Sequence, residues 1–160
     1  MTHRYIKELG SYIDQEVVLK GWLAQKRDSK GLLFATMRDG TGFVQVVIDE
    51  NVVGNEIFEQ AKKMGQESSF AISGIVKKDE RQFGGVEVQA KSFCAYANAE
   101  DFPITPKEHG VDFLMDKRHL WLRSKRQWAI MRVRNTIIFS IHEFFQNKGF
   151  VQMDAPIFTG

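Results

Sequence analysis

A chain of 160 residues, 43% hydrophobic and 26% charged, can bury one complete core, or one small domain plus part of a second, and its composition excludes wholesale disorder. The single cysteine, Cys94, excludes an internal disulfide and a cysteine metal cluster and points to a reducing, cytoplasmic setting. The first residues carry charges where a signal peptide needs an apolar stretch, and no apolar run approaches the roughly 20 residues that span a bilayer. The net charge of +2 is unevenly placed: residues 1–100 hold 13 basic against 14 acidic side chains, residues 101–160 hold 9 against 6. Between Lys117 and Arg134 there are seven basic residues and no acidic one. Such a stretch suits a polyanionic partner, but it also suits a solvated helix start.

In chain order, residues 16–27 read as a strand, with Val17, Leu19 and Leu23 on one parity and Trp22 on the other. Residues 32–38 and 43–49 are two more, joined through Asp39-Gly-Thr-Gly42, a hairpin signal between β-rich runs. Residues 55–65 place Ile57, Phe58, Ala61 and Met64 on one face of a short helix ended by Gly65. Residues 69–76 and, after Gly84-Gly85, residues 86–96 complete five strands. Five strands with a helix between the third and fourth is the element order of an OB-fold barrel, whose strand 2–3 face binds oligonucleotides and oligosaccharides.

Strand parity then selects candidate binding residues. Leu33, Ala35 and Met37 form one face of the second strand, which sends Phe34, Thr36 and Arg38 outwards. Val44, Val46 and Ile48 form the inner set of the third, leaving Gln45 outside, and in the fifth strand Val86, Val88 and Ala90 alternate with Glu87, Gln89 and Lys91. An outward aromatic ring beside an amide and an arginine can stack on an unpaired base while polar groups read its edge. The competing reading packs Phe34 under a loop, or slips the parity at a bulge.

After Glu100 the pattern changes. Two of the chain's three prolines, Pro103 and Pro106, end the barrel and mark a linker over residues 101–123. Residues 107–123 have no clean period, which predicts an irregular or weakly helical path. Ser124-Lys-Arg-Gln127 fits the capping box that opens a helix. Ile130, Val133, Ile137, Ile141, Phe144 and Phe145 then follow 3-and-4 spacing, predicting an amphipathic helix of about 22 residues. Gly149 stops it, and residues 150–158 are expected to resume as a strand interrupted by Pro156. Three segments result: an OB domain over 1–100, a linker over 101–123, and over 124–160 the first helix and strand of a second, incomplete unit.

Gly21-Trp-Leu-Ala-Gln-Lys-Arg27, Leu33-Phe34, Met37-Arg-Asp39 and Gly42-Phe-Val-Gln-Val46 resemble the anticodon-binding domain shared by aspartyl-, asparaginyl- and lysyl-tRNA synthetases. Arg132 through Lys148-Gly-Phe150 to Asp154-Ala-Pro156 resembles motif 1 of the class II synthetases. The whole length thus resembles the N-terminal region of that family. Within it, Gly110-Val-Asp-Phe-Leu-Met-Asp116 and His119-Leu-Trp-Leu-Arg123 are similar to the asparaginyl members. The aspartyl form and a free-standing tRNA-binding module are the alternatives.

The resemblance implies a mainly β anticodon-binding barrel joined to the start of an α+β catalytic domain, in an enzyme that attaches asparagine to tRNA at the expense of ATP. It implies that Phe34 stacks on the middle anticodon base and Gln45 hydrogen-bonds it. Arg27 would meet a base or phosphate, and Glu87 would accept from a base edge. Ile137, Ile141, Phe145 and Pro156 would belong to a homodimer interface. ATP and Mg²⁺ are implied for the full-length enzyme. Motifs 2 and 3, which hold ATP in the family, do not occur within these residues, so no catalytic or metal-binding residue is expected in them. His119 and His142 read as structural.

Overall fold

Period-2 alternation decides which side chains line the interior. The computed structural model describes residues 3–82, 84–105 and 107–158. In it β1 (Glu16–Ser29), β2 (Leu32–Arg38) and β3 (Phe43–Asp49) bury Val17, Leu19, Leu23, Leu33, Ala35, Met37, Val44, Val46 and Ile48 to 3% exposure or less. β4 (Ser69–Lys78) and β5 (Val86–Ala97) add Phe70, Ile72, Val76, Val86, Val88 and Phe93 to the same cluster. The strands close in the order β1-β2-β3-β5-β4. Every neighbouring pair is antiparallel except β3 and β5, which run parallel. This is the expected five-stranded OB barrel, and closure leaves no exposed sheet edge.

Bulges break the alternation, and two of them bear on the interior. One lies in β1 between Leu23 and Gln25, and the other sits where β4 meets β5 at Ser73 and Gly74. Beyond the second, the inner face of β5 passes from Ala90 to Phe93, a three-residue step that alternation alone does not contain.

The helix α2 (Asn55–Lys63) buries Phe58 and Ala61, with Met64 just past its end and Ile57 partly buried against the same cluster. Gly65 does not end it through a left-handed turn. A Cβ at that position would lie 2.0 Å from the Ala99 carbonyl oxygen, so the glycine is required by close backbone approach. Two elements were not expected. The short helix α1 (Glu50–Val53) starts where Asp49 accepts from the Asn51 amide at 2.9 Å, as an N-cap does. A 3₁₀ helix at Ile6–Tyr12 inserts Ile6 and Leu9 into the core. Asp39 holds that insertion: one carboxylate oxygen accepts from the Ile6 amide at 2.7 Å and the other from the Thr41 amide at 2.8 Å.

The chain divides into two units, Met1–Pro103 and Ile104–Gly160. In the second, α3 (Val111–Asp116) and α4 (Arg118–Trp121) occupy the stretch read as irregular or weakly helical. Pro106 of the expected linker lies outside the described residues. The helix α5 (Lys125–Asn147) begins where Ser124 Oγ accepts from the Gln127 amide at 3.3 Å. It ends in a Schellman motif. Gly149 has φ +85°, its amide donates to the Gln146 carbonyl at 2.9 Å, and the Phe150 amide donates to Phe145 at 3.1 Å. The Phe145 and Phe150 rings, 5.4 Å apart, supply the apolar contact that accompanies this motif.

The strand expected over residues 150–158 does not form. Those residues make no ladder, because a strand exists only through a partner, and no strand of the second unit is available among its described residues. The expected long helix is therefore present and the strand expected after it is not. Among the described residues no helix is long and apolar enough to cross a membrane.

Candidate nucleic-acid interface

Register places the outward residues of β1, β2, β3 and β5 in two cross-strand rows. In the first, Arg27 faces Phe34, Phe34 faces Val47, and Val47 faces Gln89. In the second, Gln25 faces Thr36, Thr36 faces Gln45, and Gln45 faces Glu87. The four residues singled out on parity and resemblance thus fall into two adjacent pairs on one face. The Arg27 guanidinium carbon stands 5.0 Å from the Phe34 ring centroid, within cation–π range. Gln45 Nε2 donates to Glu87 Oε2 at 3.1 Å. Phe34, Gln45 and Glu87 are half-buried and Arg27 is exposed. The bulge in β1 between Leu23 and Gln25 reverses the parity of that strand, so Arg27, which shares odd numbering with the buried Leu23, is turned outwards opposite Phe34.

Arg38, also outward by parity, is not an exposed arginine of this face. Its side chain is 15% exposed and pairs with Glu67, itself 6% exposed. Its guanidinium also lies 5.2 Å from the Trp22 ring centroid. The exposed cation beside Phe34 is Arg27.

Sequence reasoning missed what holds the far end of β1. The Lys26 ammonium donates to the carbonyls of Lys62 and Met64, the last acceptors of α2, where a positive charge is favoured by the helix dipole. Burial lowers the Lys26 pKa, and Asp28 acts against that shift. Lys62 bridges Glu59 at 3.1 Å and Asp28 at 3.3 Å, and its hydrogen bonds to those two carboxylates raise its pKa. Residues 26 and 28 thus tie β1 to α2, with Arg27 between them on the opposite parity. The only available signal was the run of charged residues closing the first strand, which fits any solvated strand end.

In the turn between β4 and β5, Asp79 accepts from the Arg81 side chain at 2.9 and 3.0 Å and from its amide at 3.1 Å. These bonds hold the Asp79 carboxyl down to about 2. A depressed carboxyl contributes stability above its unfolded pKa and loses it as pH falls through the folded value. The Asp79 carboxyl carbon resonance is therefore expected to titrate near 2 in an NMR pH series. A midpoint near the ordinary 3.8 would mean that the Arg81 contacts do not form in solution.

On α5 the apolar stripe is exposed: Ile137 is 53%, Ile141 51% and Phe145 48% accessible. Pro156 is exposed in the unpaired segment. Among the described residues no group of three or more His, Cys, Asp or Glu could hold a metal ion.

Residues 17–93 match the model of an OB-fold nucleic acid binding domain, and residues 110–160 match that of tRNA synthetases class II (D, K and N). The asparagine–tRNA ligase of Lactobacillus johnsonii is 50% identical over 153 residues, which cover 96% of this chain and 35% of that protein. The crystal structure of asparaginyl-tRNA synthetase from Pyrococcus horikoshii superposes with a TM-score of 0.88 at 37% identity, covering 97% of this chain and 38% of the other. An aspartyl-tRNA synthetase from Entamoeba histolytica has the same fold, with a TM-score of 0.83 at 20% identity. The chain spans about a third of the length of the curated relatives it matches. With an OB domain followed by a class II synthetase segment, and half of its residues shared with a ligase over almost its full length, the chain belongs to the class II tRNA synthetases of the D, K and N group.

Proposed function

We propose that this chain is the anticodon-reading N-terminal region of a cytoplasmic asparagine–tRNA ligase, with the barrel over residues 1–100, a linker over 101–123 and the motif 1 segment over 124–160. The observation that carries this reading is the 50% identity to such a ligase across 96% of the chain. The pairing of Arg27 with Phe34 and of Gln45 with Glu87 on the outer barrel face supports its tRNA-binding part.

In this reading the middle base of the anticodon leaves the loop stack and lies on the Phe34 ring, while Gln45 meets its edge. Arg27 covers that ring in the free chain. It is exposed and meets the ring through a cation–π contact, so it can yield the ring face and turn to the phosphate backbone at small cost. Glu87 accepts from a base donor or from Gln45. In the assembled enzyme ATP, with Mg²⁺ shielding its phosphates, would supply the phosphoanhydride that activates asparagine.

Stem-loops that differ only in the anticodon test this assignment. The anticodon GUU is expected to bind more tightly than GUC, the aspartate counterpart, by roughly tenfold, and a base contact of ordinary strength is worth that much. Fluorescence anisotropy at one fixed salt concentration measures it, since phosphate contacts make affinity salt-dependent. Equal affinity for the two loops would rule out the asparaginyl assignment.

The motif 1 part is proposed to form a two-fold interface through Ile137, Ile141, Phe145 and Pro156. Exposed apolar area of this extent marks an interaction surface. Light scattering is expected to give twice the chain mass, and Ile141→Glu is expected to reduce it to one. A monomer whose residues 126–148 resist protease as well as the barrel does would contradict this interface.

A further inference from the structure

The Gln45–Glu87 contact points to a role for Glu87 that is separate from touching RNA. A carboxylate accepts hydrogen bonds and donates none. The Gln45 atom that faces Glu87 Oε2 at 3.1 Å is therefore the amide nitrogen, and the amide orientation is dictated by chemistry. With one Nε2 hydrogen committed to Glu87, Gln45 offers outwards its Oε1 acceptor and its second Nε2 hydrogen. Both residues sit in the row that adjoins Phe34: Thr36 faces Gln45, and Phe34 faces Val47. Phe34 and Gln45 are thus diagonal neighbours about 7–8 Å apart, and a base lying on the ring turns its edge towards the amide.

We propose that Glu87 is a specificity-determining positioning residue that locks the Gln45 amide so that this face selects uracil over cytosine. The proposal rests on the tRNA-reading assignment made above. The two pyrimidines present opposite patterns on the same edge. Uracil donates from N3–H and accepts at O4, whereas cytosine accepts at N3 and donates from its amino group. An amide free to rotate by 180° serves either base, because its oxygen and nitrogen exchange places. Locked by Glu87, Gln45 accepts from uracil N3–H and donates to O4, while the N3 lone pair of cytosine meets the Oε1 lone pairs. Rotating the amide to suit cytosine would turn Oε1 onto the Glu87 carboxylate, which sets acceptor against acceptor. Cytosine therefore loses one contact or the other.

Replacing the carboxylate by a group that both donates and accepts removes the lock and keeps the shape. The 160-residue chain, its Glu87→Gln, Gln45→Ala and Phe34→Ala variants, and the Gln45→Ala/Glu87→Gln pair are titrated with stem-loops carrying U or C at the middle anticodon position. The parent is expected to prefer U by roughly 5- to 150-fold, the usual range for a paired base contact. Glu87→Gln is expected to hold the U loop within about threefold of the parent but to bind the C loop more tightly, reducing the preference roughly tenfold. A merely structural role would weaken both loops and would not strengthen either. In the Gln45→Ala background, Glu87→Gln is expected to change nothing further, because the lock has no amide to act on.

A Glu87→Gln variant that keeps the parental preference overturns the lock while leaving the anticodon assignment intact. So does one that loses affinity for both loops in equal measure, which would make Glu87 a structural support of the face or a direct contact to the RNA. If Phe34→Ala binds both loops as the parent does, the underlying assignment fails, and the lock falls with it.

Discussion

Phe34→Ala is expected to weaken binding to the asparagine anticodon stem-loop by about 1–3 kcal/mol, the usual loss when one stacking platform under a base is removed. Phe34 is half-buried on the outer face, and the guanidinium of Arg27 lies over its ring. An exposed cation–π contact contributes about 0.5–1 kcal/mol, so the variant loses far more in binding than in folding. The loss should be independent of salt, because the ring neutralises no phosphate. Arg27→Ala provides the contrast, since removing a phosphate-directed cation reduces the slope of log affinity against log salt by about one. Anisotropy titrations at several salt concentrations, with a thermal melt of each variant, separate these effects. Parental affinity in Phe34→Ala would remove the outer face of β2 from the binding site.

The second large effect concerns the barrel itself. Phe70 is fully buried, and its ring lies 5.5 Å from that of Phe93 at 33°. It stands on β4, which pairs with β1 on one side and β5 on the other, so its ring fills the interior where the barrel closes. Phe70→Ala deletes that ring from a close-packed core and is expected to cost about 3–5 kcal/mol. Small domains have about 5–15 kcal/mol in total, so the variant retains little reserve, and its Tm should fall by roughly 12 °C or more. The amide resonances of β4 and β5 through a urea series report this directly. Val47→Ala, on the outer face and half-buried, is the matched control and should lose less than about 1 kcal/mol. Equal losses at the two positions would mean that the barrel interior is not where the alternation of β4 places it.

Much of this was legible from the residues alone. Leu33, Ala35 and Met37 against Phe34 and Thr36 make one unambiguous alternation, and it assigned both the interior of β2 and the candidate stacking ring. Ser124 and Gly149 bracketed α5 because a capping side-chain acceptor and a left-handed residue leave local signatures. The 3₁₀ helix at Ile6–Tyr12 left no such signature. It exists because Ile6 and Leu9 find space at one end of a barrel and because Asp39, some 33 positions away, accepts from Ile6. Gly65 has a similar origin: its reason is the carbonyl of Ala99, which no local pattern reveals. The strand expected over residues 150–158 had the right local character but no partner to pair with, and local character alone does not make a strand.

The sequence by itself therefore determined the parity of β2 and β3, the element order of five strands with a helix between the third and fourth, the long helix with its two ends, and the residue types that face outwards on β2 and β3. Each of these follows from interactions within a few residues, where period and capping chemistry act. Tertiary structure decided which outward residues meet. Register brought Arg27 onto Phe34 and set Gln45 beside Glu87, pairs separated along the chain by 7 and 42 positions. It also withdrew Arg38 from the face by giving it Glu67. The physical reason is that closing a sheet into a barrel fixes cross-strand neighbours through hydrogen-bond register, and register between β3 and β5 is a property of the whole barrel, not of either strand.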